Sequence, residues 1–205
     1  MTPPAKKSGN AASNGENRLR IIGGRWRGSK LNFPNIAAIR PTPDRVRETL
    51  FNWLQADIND VRCLDLFAGS GALGLEALSR GAGAVTFVDR EAAIGKYLRE
   101  TLQRLKCDQG EVVVADATQY LSQRPTTFDL VFLDPPFAAS ANDRMLPTLF
   151  AQLEQGSLAP HAWIYMECPA DMGPPDSLAV WPANWTLHRS KQAGQVGYHL
   201  AKRIA

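Results

Sequence analysis

The chain has 205 residues, 44% of them apolar, which suffices for one core with a small appendage. No apolar run approaches the roughly 20 residues of a membrane span, and the polar opening segment, residues 1–17, lacks the apolar centre of a secretory signal. Cys63, Cys107 and Cys168 are odd in number and form no C-x-x-C pair, which argues against a disulfide framework or a zinc site. A reducing, cytoplasmic location, no membrane partner and no metal are therefore expected.

Residues 1–17 read as a disordered tail: polar, with Pro, Gly, Asn and Ser and little to bury. Leu19 to Pro34 reads as two short strands around a Gly-rich bend, a hairpin carrying Arg20, Arg25, Arg27 and Lys30, with Trp26 between two arginines. Residues 18–42 form this basic extension, and residues 43–205 the main domain. Thr42 is placed to cap a helix with Pro43 at its first position, and Val46, Leu50, Trp53 and Leu54 continue it to about Ala56. Residues 1–50 hold ten Lys/Arg against three Asp/Glu, while the remainder carries thirteen against seventeen. The positive field thus lies at the front, where a phosphate backbone would be met, although an ordinary solvated basic surface would look the same.

From there strands and helices alternate. Val61–Phe67 is a strand, Ala72–Arg80 a helix stopped by Gly81, Ala84–Asp89 a strand, and Glu91–Lys106 an amphipathic helix. Glu111–Ala115 is a strand, Thr118–Gln123 a short helix, and Phe128–Asp134 a nearly all-apolar strand of the buried parallel kind. Asn142–Gln155 is a helix and Ala162–Glu167 a fifth strand. Trp185–Ser190 and Val196–Arg203 form a closing antiparallel hairpin. Such alternation gives an α/β fold with a mostly parallel sheet covered on both faces, whose ligands bind beyond the carboxyl ends of the strands.

Both chemically suggestive motifs lie at such ends. Gly69, Gly71 and Gly74 satisfy G-x-G-x-x-G, and Asp89 follows twenty residues after Gly69, where it can accept hydrogen bonds from ribose hydroxyls. That is also a dinucleotide fingerprint. Asp65, inside the motif, distinguishes the two readings: a carboxylate suits the ammonium and sulfonium groups of S-adenosylmethionine and would repel a pyrophosphate. Phe67, Ala68, Gly69 and Gly71 form the cofactor loop on this reading, and Asp116 with Ala117 is placed to bond the adenine amino group. Asp65 capping the turn without touching ligand is the plainer alternative.

The second motif is Asp134-Pro135-Pro136-Phe137. An exocyclic amino group is a poor nucleophile because its lone pair is delocalised. Two acceptors on its N–H bonds draw the nitrogen toward tetrahedral geometry and free that pair. The Asp134 carboxylate and the Pro135 carbonyl supply the acceptors, the prolines fix their aim, and Phe137 stacks on the target. Alone, the tetrapeptide reads equally as a turn leaving a buried strand.

The chain resembles the RsmD-type methyltransferases of bacterial small-subunit (16S) rRNA. The resemblance runs from Arg20 to Arg203 and rests on Arg20-Ile21-Ile22-Gly23-Gly24-Arg25-Trp26-Arg27-Gly28, Arg40-Pro41-Thr42, Arg45-Val46-Arg47-Glu48, Asp65 to Gly71, Asp134 to Phe137, and Gly194 to Tyr198. It implies a Rossmann-like class I methyltransferase with a seven-stranded sheet. It also implies methyl transfer from S-adenosylmethionine to the exocyclic N2 of a guanine, presented by a partly assembled small subunit. On that reading Arg20, Arg25, Arg27, Lys30, Arg40, Arg45 and Arg47 contact phosphates, and the enzyme acts as a monomer. The alternatives are a DNA adenine-N6 methyltransferase, a protein glutamine methyltransferase, a nicotinamide-dependent dehydrogenase and a non-catalytic RNA-binding assembly factor.

Overall fold

The computed structural model describes residues 17–34, 41–123, 126–136 and 139–204. The expected tail, apart from Asn17, lies outside the described residues, as do Arg40 and Phe137. Two short strands, β1 (Arg18–Arg20) and β2 (Lys30–Asn32), pair antiparallel, with a 3-10 turn at Gly24–Trp26 between them. Helix α1 (Asp44–Trp53) follows. The chain then alternates through β3 (Arg62–Asp65), α2 (Ala72–Ser79), β4 (Ala84–Asp89), α3 (Ala92–Arg104), β5 (Gly110–Val114), α4 (Ala117–Ser122), β6 (Phe128–Leu133), α5 (Ala139–Glu154) and β7 (Leu158–Pro169). The hairpin β8 (Trp185–Ala193) and β9 (Val196–Arg203) ends it.

The expected class holds. The main sheet has seven strands in the order β5-β4-β3-β6-β7-β9-β8, parallel except around β9, which pairs antiparallel with both β7 and β8. From β3 the chain winds outward through β4 and β5, then returns to lay β6 on the other side of β3. The order therefore reverses between β3 and β6, where a doubly wound sheet opens a crevice.

Strand β6 shows why its sequence is nearly all apolar. Leu130 and Phe132 face one side, where α1, α2 and α3 bury Leu50, Phe51, Leu75, Ile94 and Leu98. Val131 and Leu133 face the other, against Leu121 of α4 and Leu149 and Phe150 of α5. Leu19, Ile21, Leu31 and Phe33 of the N-terminal segment sit in the same cluster as α1 and the sheet. The extension shares the domain's core and has none of its own.

Three local expectations change. Pro43 is the residue before α1 and no side chain caps that helix; the Thr42 hydroxyl is instead drawn away to Glu167. Strand β3 ends at Asp65 because the glycine turn begins there, although Leu66 N–H still bonds to Phe132. Strand β7 extends at both ends beyond Ala162–Glu167, since Leu158 pairs with Phe128 on β6 and Pro169 with Val196 on β9.

Candidate active site

The turn after β3 is shaped by its glycines. Gly69 and Gly71 take left-handed φ values of +49° and +75°, conformations an L side chain rarely adopts. Gly74 is needed for another reason: a Cβ there would run into the Phe87 ring and stand 3.0 Å from Asp65 Oδ2. The helix can thus lie close on the sheet, and Gly74 N–H donates to Asp65 Oδ2 at 3.0 Å. Gly69 N–H donates to Asp89 Oδ2 at 2.9 Å, tying the loop to the end of β4. Asp65 therefore orients the turn, the plainer of its two expected roles, and also faces a cavity.

That cavity, of about 190 Å³, lies at the carboxyl ends of β3, β4 and β6. Asp65, Phe67, Ala68, Gly69, Asp89, Asp116, Ala117 and Asp134 all line it, so two motifs some sixty residues apart meet in one place. Gly71 shapes the turn from behind. Pro136 lines the cavity while Pro135 is buried beside it. The Asp89 oxygens accept from Gly69 N–H and Glu91 N–H, which leaves each a further acceptor site for a hydroxyl. Asp116 Oδ1 caps α4 by accepting from Thr118 and Gln119. Only its other oxygen is open for an adenine amino group.

The electrostatics are lopsided. Burial pushes the Asp65 carboxyl up to about 7. Burial, then the charges of Glu167 and Asp65, raise Asp134 well above the usual carboxylate range. Burial also raises Glu167, partly offset by the hydroxyls of Thr42 and Tyr165, each donating to Oε1 at 2.9 Å. Among the described residues nothing donates a hydrogen bond to Asp134, and the lining cation Arg90 is exposed beside Glu91. Three crowded carboxylates without a counter-cation suit a positively charged ligand and repel a pyrophosphate. S-adenosylmethionine, with its sulfonium and ammonium, fits these residues; a dinucleotide does not.

Sequence reasoning passed over Thr42 as a hydroxyl donor, Tyr165, and Glu167. For Glu167 a signal existed, since it ends the predicted fifth strand as Asp134 ends the fourth.

The basic residues do not form one surface. Arg20 and Lys30 are exposed opposite each other on β1 and β2, with Arg20 3.1 Å from Asp44. Arg45 is exposed in the first turn of α1, three residues from the cavity-lining Thr42. Arg25 stacks on Trp26 at 4.0 Å and donates to Gln109 Oε1 at 2.7 Å, just ahead of β5. With the exposed Arg27 it lies at the amino ends of the strands, away from the cavity. Arg47 is no phosphate ligand: it is 1% exposed, bonded to Thr42 O, Arg20 O and Asp44, and paired with the fully buried Glu76 at 3.3 Å. It shares the neutralising of Glu76 with Arg80, 2.7 Å from the other oxygen, and Glu76 also accepts Ile22 N–H and Gly23 N–H of the hairpin bend.

Residues 19–202 match the model of the family described as conserved hypothetical protein 95. The chain is similar to ribosomal RNA small subunit methyltransferase D of Escherichia coli (strain K12), with 47% identity over 93% of each chain. The protein of the same name from Haemophilus influenzae is 44% identical over 91% of this chain and 95% of its own. Among solved structures, yhhF from Escherichia coli superimposes with a TM-score of 0.82 at 46% identity, covering 92% of this chain and 99% of that one.

Proposed function

This chain belongs to the family described as conserved hypothetical protein 95, and from that premise we propose that it methylates the exocyclic N2 of a guanine in small-subunit rRNA. The enzyme is a methyltransferase and its cofactor is S-adenosylmethionine. The observation that carries the reading is the meeting of Asp65 and Asp134, with Asp89 and Asp116, in one cavity. The RNA target follows from the relatives named for that activity.

When bound, S-adenosylmethionine supplies a methyl carbon made electrophilic by its sulfonium sulfur. Asp65 offsets that charge, Asp89 accepts from the ribose, and the open Asp116 oxygen with Ala117 meets the adenine. Asp134 and the Pro135 carbonyl accept the two N–H bonds of the guanine amino group, freeing the nitrogen lone pair toward the methyl carbon. As the methyl group left sulfur for nitrogen, Asp134 would balance the positive charge arriving on that nitrogen. The raised proton affinity of Asp134 suits it to take the proton that the nitrogen then releases. Phe137 stacks on the base, which must leave its helix to reach this depth.

Residues 18–42 act as a basic extension of the methyltransferase domain, residues 43–205, with Arg20, Lys30 and Arg45 meeting phosphates near the cavity. Arg25 and Arg27 reach only RNA that wraps to the far end of the sheet. The substrate is a partly assembled small subunit, met in the cytoplasm. On this reading the chain acts as a monomer. Incubation with labelled S-adenosylmethionine and a panel of acceptors tests this reading. Label on small subunits lacking the modification, in preference to naked rRNA, duplex DNA and bulk protein, is the expected result. Label on DNA or protein alone would overturn the target.

A further inference from the structure

Asp65 ends β3, Asp134 follows β6, and Glu167 lies two residues before the end of β7; the three strands are neighbours in the sheet. Leu133 pairs with Met166, so Asp134 and Glu167 stand level with each other on neighbouring strands. Alternation from Phe132 and Tyr165, which share one face, puts both carboxylates on the α1 side. Strand order places Asp65 on one side of Asp134 and Glu167 on the other. With the cofactor on the Asp65 side, Glu167 is on the side left for the target base.

Glu167 is held in place by two hydroxyl groups. It is 4% exposed, and two hydroxyls, from Thr42 and Tyr165, both address Oε1. Among the described residues no donor reaches Oε2. Thr42 lines the cavity and its carbonyl is gripped by Arg47 Nε at 3.1 Å, so this contact is rigid on both sides. Glu167 Oε2 thus keeps its acceptor sites, next to the Thr42 that lines the cavity.

Resting on the proposed function, we infer that Glu167 reads the target base as guanine, its Oε2 accepting the N1–H beside the amino group that Asp134 holds. Guanine presents N1–H and one N2–H side by side on the same edge, and two carboxylates level on adjacent strands can each accept from one of them. A purine with a bare N1 presents a lone pair to Glu167 and is repelled. Glu167 is thus a specificity-determining residue, positioned by Thr42 and Tyr165.

The test uses subunits reconstituted with rRNA carrying either guanosine or 2-aminopurine at the acceptor position. The analogue keeps the 2-amino group but has an unprotonated N1. Wild-type enzyme should favour guanosine in kcat/KM by roughly tenfold to a hundredfold. Glu167→Gln keeps an oxygen for Thr42 and Tyr165 and turns the free acceptor into an amide donor. It should lose rate on guanosine, gain relative rate on 2-aminopurine, and leave the Kd for S-adenosylmethionine unchanged. An equal slowing on both bases, or no change on either, overturns the inference while the proposed function stands. Wild-type enzyme that transfers no methyl to guanosine-bearing subunits overturns both.

Discussion

At the scale of single residues, the site is governed by carboxylates held where water cannot compensate their charge. With Asp65 pushed up to about 7, the folded free protein holds a proton there that the unfolded chain, ionising near 4, has already released. Rising pH from about 4 to 7 therefore weakens the cofactor-free fold, by a few kcal/mol at most, and stability levels off above about 7. A cationic ligand favours the ionised form. Binding of S-adenosylmethionine at pH 6 should release a proton and should tighten as pH climbs through 7. Calorimetry in buffers of different ionisation heats reads this directly; binding without proton release would remove Asp65 from contact with the cation. Asp134→Asn should lower kcat at least a hundredfold, since it cannot take a proton or balance positive charge, and should leave cofactor affinity within about threefold. Near-normal turnover would take Asp134 out of the mechanism. Asp65, Asp89 and Asp134 were legible in the sequence because strand ends and glycine turns are local patterns. Glu167 carried the same strand-end signal, but its bond to Thr42 was not legible, because Thr42 lies 125 residues away in the chain.

At the scale of elements, Arg47 shows the limit of reading charge from sequence. A basic residue in a basic stretch looks like a phosphate ligand, yet here it ties α1 to α2 and to the hairpin. Which arginine is buried depends on the helix phase and on a buried partner, Glu76, that lies on another element. Arg47→Ala should cost about 2–4 kcal/mol by emptying its buried site and leaving Glu76 with Arg80 as its remaining ion-pair partner, whereas Arg20→Ala should cost under about 1 kcal/mol because its ion pair is exposed. Chemical denaturation of the two variants checks this; similar small losses would return Arg47 to the surface. Gly74→Ala should cost about 1–3 kcal/mol, as the new Cβ meets Phe87 beneath it and presses on the cofactor turn. The glycine spacing that also fits dinucleotide sites is here partly a packing device between α2 and β4. Most helices and strands were readable from hydrophobic period, including the closing hairpin, while their ends shifted where pairing with a neighbour extended them, as in β7.

At the scale of the molecule, the sheet sorts the chemistry. The candidate site lies at the carboxyl ends of the strands, and the exposed cations of the N-terminal segment are divided between that end and the opposite one. The charge excess of residues 1–50 was visible in the sequence, but its division was not, because it depends on how the hairpin lies along α1 and α2. Replacing Arg20, Lys30 and Arg45 with Ala should weaken RNA binding and flatten its salt slope by about two to three, near the loss of three phosphate contacts. Replacing Arg25 and Arg27 should change the slope less. The reverse ranking, read from binding across a salt series, would move the RNA to the far end of the sheet. The account as a whole claims that Asp134 and its neighbours activate a guanine amino group. The most direct measurement is digestion of labelled small-subunit rRNA to nucleosides after reaction with isotopically labelled S-adenosylmethionine. The label is predicted in N2-methylguanosine; label in N6-methyladenosine or on a ring carbon would contradict it.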